Sequence, residues 1–312
     1  NMAATWDPKA ALAWGQAMGA EFKGKGANVQ LGPGMCVARF PRNGRNFEYG
    51  SGEDPYLGYV MVPPVIKGIQ SQGVIANAKH WVNNNQEVNR TTNNAIVDER
   101  TRYEMYYPPF EGAIEADVGS VMCSYNLING VWSCENPETL QKDLKDTLGF
   151  KGFVMSDWGA THSASINAGL DQEMPASRYF NADSKRTQGV GHLVANGSVT
   201  MERLDDATMR VLTPMFAMGL FDTPNPVNQT GVYDAATDTF TVTTNVSTPA
   251  HSFLARQLAS KSMVLLKNDN NLLPLSADVG EIAVFGIEAW TRDAVQNRPK
   301  TGGQGSGAVA PP

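Results

Sequence analysis

Between residues 28 and 157 one pattern recurs: a short apolar run, a polar residue or two at its end, then a longer stretch with helical spacing. The apolar runs fall at 28–31, 74–78, 120–124 and 152–156. Apolar segments this short read as strands, and their alternation with helices dictates parallel βα units. The chain is therefore predicted to be α/β, and the close spacing fits a (β/α)₈-like TIM barrel better than an open sheet. Helices are predicted over 8–25, 55–72, 98–116, 137–147, 162–169, 184–196 and 200–218. Asp7 before Pro8, and Asp54 before Pro55, supply the N-cap and the N1 proline that open the first two. Polar loops fill 32–53, rich in Gly and Arg, and 83–94, rich in Asn.

Residues 222–249 change character, with Pro224, Pro226 and many Thr and Asp, and read as a linker. Beyond it a helix over 250–262 and a strand over 282–286 predict the start of a second α/β unit. The expected organisation is a barrel over 1–222, a linker over 223–249 and the opening of a second α/β domain over 250–312. The first residues, Asn1-Met2-Ala3-Ala4-Thr5, lack the basic start and apolar core of a signal peptide. Both ends read as interior to a longer chain. No apolar run approaches 18 residues, so no membrane span is predicted. A net charge of −6 argues against nucleic-acid binding, which needs a basic face. The four His form no H-E-x-x-H and there is no C-x-x-C, so neither metal nor cofactor is expected.

The three Cys and the sequons speak to compartment. Cys123 and Cys134 bracket the turn signal Asn129-Gly130, and the spacing suits a local disulfide worth roughly 3 kcal/mol by loop closure. Cys36 is left either as a buried thiol or with a partner elsewhere. Sequons begin at Asn89, Asn196, Asn228 and Asn245, and four of them beside a disulfide favour a secreted glycoprotein.

Chemistry collects just after the strands, where parallel α/β folds place their sites. Asp157 follows Gly152-Phe153-Val154-Met155-Ser156 and precedes Trp158, whose ring can stack on a sugar face. The plainer reading of Asp157 is a helix cap. Lys79 and His80 end another strand, as hydroxyl donors or as ion-pair partners of Glu87 or Asp98. Arg45 can bind hydroxyls or a carboxylate with its guanidinium fork, or simply lock its loop to Glu48. Tyr125 can stand beside Asp157 or be a core aromatic.

These motifs, in this order, resemble glycoside hydrolase family 3. Lys151-Gly152-Phe153-Val154-Met155-Ser156-Asp157-Trp158-Gly159-Ala160 is similar to its nucleophile signature. Gly44-Arg45-Asn46-Phe47-Glu48 with Gly52-Glu53-Asp54-Pro55 resembles its arginine loop, and Ala78-Lys79-His80 with Asn85-Gln86-Glu87 its Lys-His pair. Val121-Met122-Cys123-Ser124-Tyr125-Asn126 resembles its tyrosine strand, and 262–275 the start of its second domain. The resemblance implies that Asp157 is a catalytic nucleophile. It implies that Arg45, Lys79 and His80 bind sugar hydroxyls, that Tyr125 orients Asp157, and that Met122 and Trp158 line the pocket. It further implies a (β/α)₈-like TIM barrel, whose opening strands precede residue 1, followed by the beginning of an α/β sandwich domain. The acid/base glutamate is expected to lie beyond this chain, and neither Glu281 nor Glu288 is assigned that role.

The implied activity is that of a retaining, exo-acting β-glucosidase that releases glucose from β-linked glucosides through a glycosyl-Asp157 ester. Lys79 and Arg45 are expected to keep Asp157 ionised. The Asn-Gln-Glu loop has no His, which sets the chain apart from the family's β-N-acetylglucosaminidases. The alternatives are a β-xylosidase or mixed-specificity glycosidase, and a sugar-binding fragment without turnover. Gly302-Gly303-Gln304-Gly305-Ser306-Gly307 is a poor phosphate loop, because it lacks the Lys-Ser/Thr and runs into prolines.

Overall fold

A computed structural model describes residues 2–43, 45–176, 178–181, 189–222, 231–234, 239–242 and 245–285. Helix α1, Pro8–Gly24, opens where Asp7 accepts from the N–H groups of Lys9 and Ala10 at 3.0 and 3.2 Å. Strand β1, Val29–Gln30, is followed by the long loop and by helix α2, Pro55–Gln70, capped by Asp54. Strand β2 is Ile75–Trp81 and β3 is Asn94–Ala95. The helix predicted over 98–116 is three pieces: α3, Glu99–Thr101, a π-type turn, Arg102–Tyr106, and α4, Pro108–Glu115. The i+5 bond from Tyr107 N–H to the Arg102 carbonyl, 2.8 Å, marks the widened turn just before Pro108-Pro109.

Strand β4, Ser120–Cys123, leads into the hairpin of β5, Leu127–Ile128, and β6, Val131–Trp132. Asn129 and Gly130 turn this hairpin with positive φ at both residues. A π-type helix, Glu138–Thr147, precedes β7, Phe153–Ser156. Helices α5, Val190–Ala195, and α6, Met201–Ala217, follow; the start of the predicted 184–196 helix lies largely outside the described residues. The expected helix over 162–169 is only a 3₁₀ turn, Ser165–Ala168. Within the expected linker, β8, Gly231–Asp234, and β9, Thr239–Val242, pair as an antiparallel hairpin before α7, Pro249–Lys261. The strand expected over 282–286 does not form over 281–285: among the described residues no neighbour takes up its backbone groups, and Ile282, Val284 and Phe285 are exposed.

The main sheet has the order β1-β2-β4-β7, all parallel. One face carries Ala76, Ala78, Val121 and Val154 against Val65, Ile66 and Ile69 of α2 and Phe110 and Ala113 of α4. The other face buries Ile75, Met122, Phe153 and Met155 against Val211, Met215 and Leu220. A parallel sheet is normally covered on both faces, and this one is. The α1–α2 seam is closed by glycine. A Cβ on Gly15 would strike the Val65 carbonyl, and one on Gly68 would lie 2.5 Å from the Leu12 carbonyl.

Strand β7 is pinned from behind by Asp171. This buried carboxylate accepts from Lys145 Nζ at 2.8 Å, from Arg203 at 2.6 Å and from the Val154 N–H at 2.8 Å. Burial pushes the Lys145 amine down to about 8, with Asp171 pulling the other way. Removing one member of such a buried set strands the rest. Asp171→Asn is therefore expected to cost about 3–5 kcal/mol in urea denaturation, whereas Arg100→Ala, which removes an exposed Glu104 pair, is expected to cost under ~1 kcal/mol.

Candidate active site

The strand register brings the chemistry to one edge. Lys79 pairs with Met122 and Trp81 with Cys123, so the register slips by one residue at His80. Cys123 pairs with Ser156, and the next residue on β7 is Asp157. Its N–H donates to the Cys123 carbonyl at 3.2 Å, and its Oδ1 accepts from the Trp158 N–H at 2.7 Å. No helix begins there, so Asp157 is not a helix cap. Its Oδ2 lies 3.5 Å from His80 Nε2.

His80 is buried, and its Nδ1 lies 3.1 Å from the Tyr49 hydroxyl. Burial, reinforced by Lys79, Arg45 and Arg90, holds the imidazole well below its ordinary pKa, so the ring is neutral. Because Nε2 faces the Asp157 carboxylate, which can only accept when ionised, the tautomer that suits both neighbours carries its proton on Nε2 and accepts from the Tyr49 phenol at Nδ1. Beneath the ring Cys36 is a buried thiol, bridging the His80 N–H and carbonyl at 3.3 Å each. Burial pushes that thiol up to about 11. Among the described residues Cys36 therefore has the form of the buried thiol.

Behind these groups runs an ionic lattice. Arg45 closes its fork on Glu48, at 2.9 Å from Nε and 2.8 Å from a terminal nitrogen, and lies 3.7 Å from Glu87. Lys79 Nζ is 3.4 Å from Glu48, and Arg90 is 2.8 Å from Glu87. The loop-locking reading of Arg45 therefore describes its contacts here, and Lys79 takes Glu48 rather than Glu87 or Asp98. Three cations and three carboxylates, Asp157 included, make the group formally neutral. Lys79 favours the ionised form of Asp157, as expected, and burial works against it. Burial raises its pKa above the ordinary carboxylate value, opposed by the Trp158 N–H, the Tyr125 hydroxyl, Arg90 and Lys79.

Tyr125 stands beside Asp157, its hydroxyl donating to the Trp158 carbonyl at 2.9 Å and favouring the ionised form of the carboxylate. Trp158 is 44% exposed, its ring open to solvent. Met122 is not at the surface of a pocket but inside the apolar cluster with Ile75, Phe153 and Met155, because its position on β4 points it to that face. A cavity of about 540 Å³ is lined by Glu87, Arg90, Tyr125, Trp158, Gly159 and His162. His162 stacks on Trp132 at 4.0 Å, and its carbonyl accepts from the Tyr179 hydroxyl at 2.6 Å. Buried Glu173 holds that rim by accepting from the N–H groups of Tyr179 and Phe180, both at 3.0 Å.

Sequence reasoning did not single out Arg90, Tyr49, His162, Trp132 or Glu173. Arg90 sits inside a sequon, Trp132 ends the two-residue strand β6, and the others lie on loops without periodicity. The Cys123–Cys134 disulfide is formed and buried at the foot of the site. Of the sequon asparagines, Asn89, Asn196 and Asn245 are exposed, and Asn228 lies outside the described residues. The glycine run at 302–307, like Glu288, also lies outside them. Among the described residues no three His, Cys, Asp or Glu converge as a metal site, and no helix is long and apolar enough to cross a membrane.

A parallel α/β sheet with buried ionisable groups at the carboxyl ends of its strands defines a protein of the α/β class, in which TIM barrels and doubly wound sheets carry their sites at that edge. Residues 1–214 match the glycosyl hydrolase family 3 N terminal domain, and the chain belongs to that family. It is 45% identical over 294 residues to a probable beta-glucosidase L of Emericella nidulans, covering 93% of this chain and 39% of that protein. It is 40% identical over 343 residues to beta-glucosidase 1 of Aspergillus aculeatus, covering 99% and 39%. The crystal structure of a beta-D-glucoside glucohydrolase from Trichoderma reesei superposes with a TM-score of 0.76 at 40% identity, over 88% of this chain and 37% of that one. A beta-glucosidase 3B from Thermotoga neapolitana, solved with glucose, gives 0.75 at 34% over 88% and 37%. The chain thus spans about two fifths of the length of the relatives it matches.

The raised pKa of Asp157 carries a sign. Between the ordinary carboxylate value and its raised folded value, the folded state binds more protons than the unfolded one. Stability from this group is therefore lost as pH rises through that window. Urea titrations from pH 3.5 to 7 are expected to show that loss, and Asp157→Asn is expected to flatten it.

Proposed function

We propose that this chain carries the nucleophile half of a retaining β-glucosidase, organised as a barrel over 1–222, a linker over 223–249 and the start of a second domain. The observation that supports the reading most is Asp157 itself: a carboxylate at the carboxyl end of a parallel strand, held on both oxygens and beside an open indole ring. Oδ1 takes the Trp158 N–H and Oδ2 faces the neutral His80 ring, which leaves the carboxylate fixed in direction for attack on an anomeric carbon. The cations behind it offset part of the burial penalty on its charged form.

In the reaction Asp157 attacks the anomeric carbon as the glycosidic C–O bond breaks, giving a glycosyl ester. A second carboxylic acid protonates the leaving oxygen and then deprotonates the water that opens the ester. That second acid is assigned to the part of the enzyme beyond this chain. In this reading Lys79 and His80 contact sugar hydroxyls and Trp158 stacks on a ring face. The substrate is a β-linked glucoside cleaved from its non-reducing end, in keeping with relatives named beta-glucosidases. Exposed sequons, a buried disulfide and fungal relatives support a secreted glycoprotein.

The nucleophile is testable without the second acid. An activated 2-deoxy-2-fluoro-β-glucosyl fluoride needs no protonation of its leaving group and accumulates as the ester. Incubation followed by peptide mapping is expected to find one fluoroglucosyl unit on the peptide containing Asp157, and none in Asp157→Asn. A label on another carboxylate overturns the assignment. The matching xyloside reagent, labelling faster than the glucoside, would move the specificity to β-xylosides.

A further inference from the structure

Arg90 lies outside every motif that marks the site, yet it touches the site from two sides. Its guanidinium carbon stands 4.6 Å from the centre of the Tyr125 ring. One of its terminal nitrogens bonds Glu87 Oε2 at 2.8 Å, and both side chains are largely buried. Glu87 is in turn fixed by its own backbone, whose N–H donates to the Asn43 carbonyl at 3.2 Å, and by the nearby Arg45. Tyr125 is thereby gripped at both ends. The cation covers its face, and the Trp158 carbonyl takes its hydroxyl at 2.9 Å.

We propose that Arg90 is a positioning residue for Asp157, acting through Tyr125: anchored on Glu87, it clamps the phenol ring so that the hydroxyl stays against the carboxylate. This rests on the reading of Asp157 as nucleophile. The groups facing Asp157 are His80 and Lys79 from β2, Tyr125 from the turn after β4, and Arg90 from the Asn-rich loop, with Glu48 and Glu87 behind the cations. Of these groups, Tyr125 is the one whose ring Arg90 covers and whose hydroxyl bonds the residue next to Asp157. A planar guanidinium suits that task better than an ammonium, because it stacks on the ring and bonds Glu87 through its edge at once.

The test reads the ionisation of Asp157 directly, by ¹³C NMR titration of its carboxyl carbon in this chain. Wild type, Arg90→Gln, Tyr125→Phe and the double variant form a cycle. Tyr125→Phe keeps the ring beneath the guanidinium and removes only the hydroxyl. Arg90→Gln is expected to lower the acid ionisation constant of Asp157 by roughly threefold or more. In the Tyr125→Phe background the same substitution is expected to have less than half that effect in logarithmic terms. Equal shifts in both backgrounds would mean that Arg90 acts only by its direct field, and no shift would mean that it does not act at all; either overturns the proposal. Arg90→Lys keeps the charge and loses the flat face, and is expected to give a smaller shift that also shrinks without the hydroxyl. It serves as the test if Arg90→Gln does not fold, and a shift indifferent to the hydroxyl overturns the proposal there too. If the fluoroglucoside fails to label Asp157 while the cycle shows coupling, the glycosidase reading falls and the Arg90–Tyr125–Asp157 linkage stands.

Discussion

The level at which β2, β4 and β7 end relative to one another governs the site. Parallel pairing in register from Ser120–Phe153 to Cys123–Ser156 leaves Asp157 one step beyond the ladder, where its N–H still reaches the Cys123 carbonyl. Helices α2 and α4 hold one face of that ladder, and the end of α6 covers the other. The buried Asp171 carboxylate ties β7 to Lys145 and Arg203. A shift of the sheet by one residue would turn Asp157 from the edge into an apolar face.

The second organising fact is electrical. A carboxylate taken out of water resists ionisation, and burial does raise Asp157. The chain answers with cations that are themselves buried and would be costly alone. Glu48 serves Arg45 and Lys79, and Glu87 serves Arg90 and stands near Arg45. The formal charges cancel across six side chains drawn from four stretches of sequence. Such a group is best understood as one unit, because deleting any member changes the field at the rest.

The sequence displayed the βα alternation, the caps at Asp7 and Asp54, and the strand ends, because each is a local pattern of apolar and polar positions. It also displayed Asp157, Lys79 and His80 as strand-end residues, and Cys123 and Cys134 around a turn. It hid what depends on long-range packing. The π-type turns at Arg102–Tyr106 and Glu138–Thr147 keep near-helical periodicity and differ only in hydrogen bonding. The roles of Glu48 and Arg90 follow from which loops fold against each other, and no spacing announces that. Met122 misled for a related reason: adjacent strand residues face opposite ways, and Met122 belongs to the face occupied by Ile75 and Met155.

The irregularity at His80 has a consequence of its own. In an unbroken strand Lys79 and His80 would point to opposite faces, one into the helix layer. The slip between Lys79 and Trp81 gives both residues a place on the polar side and returns Trp81 to the core, where it stacks on Tyr107 at 4.5 Å. Strand β2 is thus defined by its count of residues as much as by their kind. Deleting one residue there would remove the slip and leave room for only one of Lys79 and His80 on the polar side, and inserting one would turn the Trp81 indole out of the core. Point substitutions preserve that count, so this short stretch should tolerate changes of spelling far better than changes of length.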